Sequence, residues 1–185
     1  MKTKIIFLSA ILAFCYSSAF AQGKYFTKSG SINFDCSTSI EDITAKNAKG
    51  TCVLDASSGA IEMAVLMKAF EFERALMQEH FNENYVESDQ YPKSIFKGKI
   101  ENMSTVDLTK NGTYNVKISG TLTLHGVTKP VSTTGKIVVS NGTVNATTAF
   151  IVLLSDYNIG IPAVVKDKIS NKVKISVALW LAPVK

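Results

Sequence analysis

The feature that most constrains this chain is an alternation of apolar and polar residues with period two, which recurs from residue 32 to residue 181. A strand with one buried face has this period, whereas an amphipathic helix repeats about every 3.6 residues. In the longest such segment, one face carries Tyr114, Val116, Ile118, Leu122 and Leu124. The pattern therefore predicts an all-β protein built from antiparallel strands.

Eight segments show the pattern, and turn signals such as Ser57-Ser58-Gly59, Asn111-Gly112 and Asn141-Gly142 separate several of them. The predicted strands cover residues 32–36, 50–55, 61–67, 94–103, 114–124, 127–139, 143–153 and 173–181. Helical spacing occurs in one segment, 72–85, and predicts one short helix. Eight half-apolar strands can bury their faces in a two-sheet sandwich or in a closed barrel, and the alternation fits both.

Length and charge narrow the class of protein. The chain has 185 residues and a formal net charge of +5, with no linker or charge block to divide it. Arg74 is the only arginine. Arginine side chains are the residues that most often recognise phosphates and guanines, through pairs of hydrogen bonds. We therefore expect a single domain that does not bind nucleic acid.

The N-terminus has the organisation of a secretory signal peptide. Lys2 and Lys4 precede an apolar run over residues 5–16, and Ala19-Phe20-Ala21 forms a small-x-small cleavage site. The apolar run is too short to span a bilayer of about 30 Å as a helix. We expect residues 1–21 to be removed, so that a domain of residues 22–185 without a membrane span acts in the periplasm or outside the cell. A lipoprotein anchored at Cys15 is the alternative, but Phe14 stands where a lipobox carries a small residue.

Two cysteines remain after this cleavage, Cys36 and Cys52. An oxidising compartment permits a disulfide between them, and two buried free thiols are the equal alternative. If the first two strands form a hairpin centred near residue 44, the two cysteines lie opposite each other and could be bridged.

Three motifs, taken in this order and spacing, carry a family resemblance: residues 91–96 (YPKSIF), 120–131 (GTLTLHGVTKPV) and 155–160 (SDYNIG). With them, the chain resembles the YceI-like, polyisoprenoid-binding family from residue 32 to residue 181, which is nearly the whole of the expected mature chain. The resemblance implies an eight-stranded antiparallel, lipocalin-like β-barrel with an elongated apolar cavity. It also implies a binding protein, and not an enzyme, whose partner is an isoprenoid or another long-chain amphiphilic lipid.

The strand faces and the helical segment predict which residues line that cavity. They come from the third to fifth strands and from one side of the helix. These residues are Ile61, Met63, Val65, Met67, Met77, Phe81, Tyr85, Phe96, Ile100, Val116, Ile118 and Leu122. Met103 shares this methionine-rich region, and Tyr91 and Tyr85 are candidates for the cavity mouth.

The head group of the ligand is left open by the sequence. Many relatives carry a basic residue just before the acid that corresponds to Asp156, and this chain has Leu154-Ser155 there. Around the helix, where relatives offer arginine and aspartate, residues 77–82 contain only His80 as a basic group. A prenyl diphosphate would thus lack obvious arginine partners, and a neutral or differently charged head group is equally open.

No sequence motif points to covalent chemistry or to a cofactor. His80 and His125 have no cysteine, histidine or carboxylate at metal-ligand spacing, and no nucleophile elbow or phosphate loop occurs. The alternative functions are a solidly packed structural or interaction protein of the cell envelope and, with less support, an enzyme built on His125 and Asp156. An outer-membrane barrel also fits alternating strands, but an aromatic girdle is missing.

Overall fold

Nine antiparallel strands make up most of the part of the chain that the structure describes. The computed structural model describes residues 23–184, so the expected signal peptide lies outside the described residues. The strands are β1 (Lys24–Asp35), β2 (Thr44–Asp55), β3 (Ala60–Leu66), β4 (Glu71–Phe72), β5 (Lys93–Ile100), β6 (Gly112–Leu124), β7 (Val127–Ser140), β8 (Thr143–Leu153) and β9 (Lys172–Pro183). Helix α1 (Ala75–His80) continues into a wider turn over Phe81–Tyr85.

Eight of these strands close into a barrel. Their order is β1-β9-β8-β7-β6-β5-β3-β2, and β1 also pairs with β2, which completes the ring. The two-residue strand β4 attaches to the start of β2 through Ala45 and Lys46. The predicted fold class is therefore confirmed, and the closed barrel replaces the sandwich that the alternation also allowed.

The first two strands are longer than predicted. Strand β1 begins at Lys24, but register shifts between Thr27 and Ile32 interrupt its alternation. Strand β2 begins at Thr44, where the buried positions hold Ala45 and Asn47 instead of large apolar residues. Asn47 is satisfied there because its side-chain amide donates to the Leu66 carbonyl. Because its inward residues are small or polar, this part of β2 lacks the apolar alternation that predicts a strand.

The turn signals Ser57-Ser58-Gly59 and Asn141-Gly142 join neighbouring strands, as His125-Gly126 does between β6 and β7, whereas Asn111-Gly112 does not. His125-Gly126 and Asn141-Gly142 both have two successive positive φ angles, as a type I′ turn requires. Asn111-Gly112 was predicted to be a hairpin turn, and this is wrong. The β5–β6 connection is a loop over residues 101–111, and Asn111 instead accepts a hydrogen bond from the Asn141 backbone N–H.

The interior has two apolar clusters stacked along the barrel axis. The lower cluster includes Leu54, Met103, Leu108, Val139 and Val144, all with at most 9% of their surface exposed. It closes the end of the barrel where β7 turns into β8. The upper cluster contains residues from β1, β9 and the helical segment, at the end where β6 turns into β7. The helix and the long β8–β9 connection therefore lie at the upper end.

A pair of facing glycines shapes the wall between these clusters. Gly98 and Gly120 are opposite each other on β5 and β6, with inward-facing positions. A Cβ built on Gly120 would lie 2.4 Å from the Lys97 carbonyl oxygen and 2.8 Å from the Phe96 ring. Contacts this short exclude any side chain, so the glycines let the strands approach and let the Phe96 ring lie across them.

The register contradicts the geometry proposed for a disulfide. Cys36 donates its backbone N–H to Ile43, whereas Cys52 is opposite Thr27. The hairpin is thus centred near residue 40, and the nine residues from Ile43 to Cys52 span roughly 30 Å of strand at about 3.3 Å per residue. A disulfide needs Cα atoms within about 7 Å. Both cysteines are buried free thiols.

We predict that the folded protein protects both thiols from alkylation. Burial raises the pKa of Cys36 and of Cys52 to about 12, so at pH 8 the reactive thiolate is scarce as well as shielded. Mass spectrometry after iodoacetamide treatment should show an unmodified folded domain. In denaturant without reductant, the domain of residues 22–185 should gain two labels. A denatured domain that gains none would show that the cysteines are bridged.

Candidate functional site

The upper part of the barrel interior is hollow. A cavity of about 440 Å³ extends down from the helical end and is lined almost entirely by apolar side chains. This volume falls within the roughly 300–1,000 Å³ typical of small-molecule sites. Its lower end rests on Ile100, Val116, Ile137 and Leu179, which also belong to the packed lower cluster. The cavity is therefore a blind apolar tube with its mouth beside α1.

All twelve residues predicted to line a cavity lie in the wall of this one. Strands β3, β5 and β6 supply most of them through their inward faces, and the helical segment supplies Met77, Phe81 and Tyr85. Their contact with a ligand remains a prediction. The outward residue Lys117, next to Ile118, is exposed.

The twelve predicted residues do not include the opposite wall of the cavity. Strands β1, β8 and β9 contribute an equally apolar surface: Ile32, Phe34, Phe150, Val152, Val173, Ile175 and Val177. Their alternation is visible in the sequence. Because every strand of a closed barrel turns one face inward, the barrel prediction already implied these residues.

Two further candidates, Met103 and Tyr91, lie outside the cavity wall. Met103 packs in the lower cluster and does not line the cavity, although Met63, Met67 and Met77 do. Tyr91 is not in the cavity wall either, because its ring lies edge-on against His125 with 4.6 Å between centroids. Tyr85 does line the cavity, and burial raises the pKa of its hydroxyl.

Four phenylalanines fix the helical segment over the barrel. Phe81, directly after α1, stacks on Phe34 of β1 with 5.4 Å between ring centroids. Phe70 and Phe72 contact the same two rings at 5.0–5.6 Å. Such aromatic pairs add about 0.5–1.5 kcal/mol each beyond area burial. Although α1 itself has no buried residue, this cluster holds it at the cavity mouth.

The mouth is polar, and three segments build it. Glu41 from the β1–β2 loop, Arg74 and His80 from the helical segment, and Lys168 from the β8–β9 connection all line the cavity there. Arg74 donates to the Glu41 carboxylate, and this bond is the main reason why the pKa of Glu41 is lowered. No local pattern in the sequence predicts this grouping, because its members are far apart in the chain.

His125 ties together three loops at the same end of the barrel. One ring nitrogen lies 3.0 Å from the Tyr157 carbonyl oxygen, and the other lies 2.7 Å from the Glu87 carboxylate. The ring is therefore engaged on both sides, with 10% of the side chain exposed. Asp156 is exposed and does not contact it in these hydrogen bonds. The arrangement is that of a structural clamp.

Within residues 23–184 there is no group of three or more histidine, cysteine or carboxylate side chains placed to hold a metal ion. In the same range, none of the helices has the length and apolar character needed to cross a membrane.

These features define a lipocalin-like barrel with an apolar cavity and a polar mouth. The chain belongs to the YceI-like domain family, whose model matches residues 21–181. No curated protein matches the chain at a significant level.

Solved structures share the fold at low sequence identity. A polyisoprenoid-binding domain from Saccharophagus degradans, implicated in plant cell wall breakdown, is 14% identical, with a TM-score of 0.77 over 88% of this chain and 99% of that one. BcnA from Burkholderia cenocepacia is 14% identical, with a TM-score of 0.68 over 83% and 96%. The YCEI protein of Campylobacter jejuni is 16% identical, with a TM-score of 0.55 over 76% and 84%.

We predict that His125→Asn destabilises the fold. Asparagine tolerates the positive φ of 49° at this position, so the variant isolates the loss of the two side-chain contacts. An unpaired buried carbonyl costs about 1–3 kcal/mol, and we expect urea unfolding to report a loss of that size. The exposed His80→Asn is the matched control and should change stability by less than about 0.5 kcal/mol. Equal stability of both variants would contradict the clamp.

Proposed function

We propose that this protein is a periplasmic or secreted binding protein that holds an isoprenoid-type or other amphiphilic lipid in its barrel cavity. The observation that carries the proposal is the blind apolar tube of about 440 Å³. A tube of this kind cannot be filled favourably by water, because its wall offers almost no hydrogen-bonding partners. Membership of the YceI-like family supports the same class of ligand.

Burial of an alkyl or prenyl chain supplies enough energy for useful affinity. At about 25 cal/mol per Å², covering about 300 Å² of chain surface is worth about 7 kcal/mol before the costs of association. The blind lower end requires the chain to enter tail first. Its polar end then stays among Glu41, Arg74 and Lys168 at the mouth.

The hollow interior favours a carrier over the alternative of a packed structural protein. A structural barrel would gain stability by filling this space, since voids cost dispersion contacts and transfer energy. Location outside the cytoplasm rests on the predicted signal peptide. No catalytic step is part of the proposal, because His125 is held on both sides by structural contacts.

A tryptophan inserted into the wall should abolish binding without unfolding the barrel. We expect Ile118→Trp to occupy the cavity and to lower uptake of the neutral apolar probe diphenylhexatriene at least tenfold, as followed by its fluorescence. Val65→Trp should act in the same way from the β3 side. Lys117→Trp, one residue from Ile118 and outward-facing, is the matched control and should bind like the wild type.

The same variants distinguish a hollow barrel from a packed one. If no space existed, both inward tryptophans would overpack the core and cost about 1–3 kcal/mol in thermal or urea unfolding. Wild-type protein that takes up no probe, combined with that destabilisation, would contradict the carrier function.

A further inference from the structure

The charges at the cavity mouth point to a specific head group. Besides the mouth residues, one other charged side chain, Lys136, is found in the described cavity lining, and it belongs to an outward position lower on β7. At the mouth itself, Glu41, Arg74 and Lys168 sum to a formal charge of +1. An apolar tube with one net positive charge at its mouth suits an amphiphile with one negative charge.

The mouth already holds a carboxylate. Glu41 accepts a hydrogen bond from the Arg74 guanidinium, and Lys168 adds a second favourable charge that helps to lower the pKa of Glu41. Arg74 keeps 58% of its side chain exposed, whereas Glu41 keeps 23%. The guanidinium therefore remains accessible while it binds Glu41, and its five N–H donors exceed what this one hydrogen bond uses.

Backbone contacts keep these three side chains together. Ser170 donates its backbone N–H to the Cys36 carbonyl, which joins the β8–β9 connection to the β1–β2 loop. The Thr38 hydroxyl lies 3.5 Å from the Lys168 carbonyl oxygen. The phenylalanine cluster holds the segment that carries Arg74. The two cations are thus presented by anchored segments at one rim.

Resting on the proposed function, we infer that Arg74 and Lys168 form a head-group site for a long-chain carboxylate. When this ligand binds, its carboxylate replaces Glu41 as the partner of the Arg74 guanidinium. In the protein without ligand, Glu41 takes the place of the ligand carboxylate in this site. It satisfies Arg74 when no ligand is present, and it yields the guanidinium to a ligand that brings its own carboxylate. A ligand with a neutral head group leaves the Glu41–Arg74 pair intact.

The test compares two ligands that differ only at the head group. Hexadecanoic acid and hexadecanol are titrated against displacement of diphenylhexatriene at pH 8 and low ionic strength. We expect the wild type to prefer the acid by roughly tenfold, the effect of one charge-assisted hydrogen bond. The preference should shrink at high salt, because the mouth is exposed to screening.

Three variants assign the preference to residues. Arg74→Gln and Lys168→Gln should each weaken binding of the acid several-fold and leave binding of the alcohol unchanged. Glu41→Gln removes the internal competitor and should tighten binding of the acid. Lys99→Gln, which removes the same charge from an exposed position on β5 at the other end of the barrel, is the control and should behave like the wild type.

The outcomes separate this inference from the proposed function. If the wild type binds neither ligand, the proposed function itself fails. If it binds both equally, or if it prefers the acid and none of the mouth variants changes that preference, the carrier function stands and the head-group site is wrong. Circular dichroism of each variant shows that the barrel remains folded.

Discussion

Closure of the sheet through β1 is the constraint on which the rest of the structure depends. Strand β1 pairs with β9 on one side and with β2 on the other, so the last and first parts of the chain seal the barrel. A closed sheet leaves no long exposed edge, and every strand turns one face inward. The eight inward faces then create a single apolar interior from local alternation alone.

The interior divides into a packed lower part and a hollow upper part because different connections close its two ends. At the lower end, short connections and the 101–111 loop bring large side chains such as Leu54, Met103 and Leu108 into contact. At the upper end, the long segments 67–92 and 154–171 lie over the opening and do not fill it. Inward glycines at 98, 120 and 135 allow close approach of neighbouring backbone and side chains along β5, β6 and β7, since a Cβ at any of them would meet another atom within 3 Å. A packed floor beneath a hollow upper part is the result.

Most of the fold was predictable because alternation and type I′ turn signals are local properties. The strands around Ile118 and Val177 and the turns at His125-Gly126 and Asn141-Gly142 follow from a few neighbouring residues each. The early part of β2 was missed because crowded inward positions there hold Ala45 and Asn47. The cavity wall could be predicted for the same local reasons. The mouth could not, since Glu41, Arg74 and Lys168 meet only through tertiary packing of three connections.

The central claim is that the hollow interior is a site for one amphiphilic molecule. Native mass spectrometry of protein purified without detergent from its own compartment tests this claim most directly. We expect a population with one bound small molecule, which organic solvent extracts and which the Ile118→Trp variant lacks. A wild-type spectrum showing only the bare polypeptide, both before and after incubation with hexadecanoic acid or hexadecanol, would contradict the account.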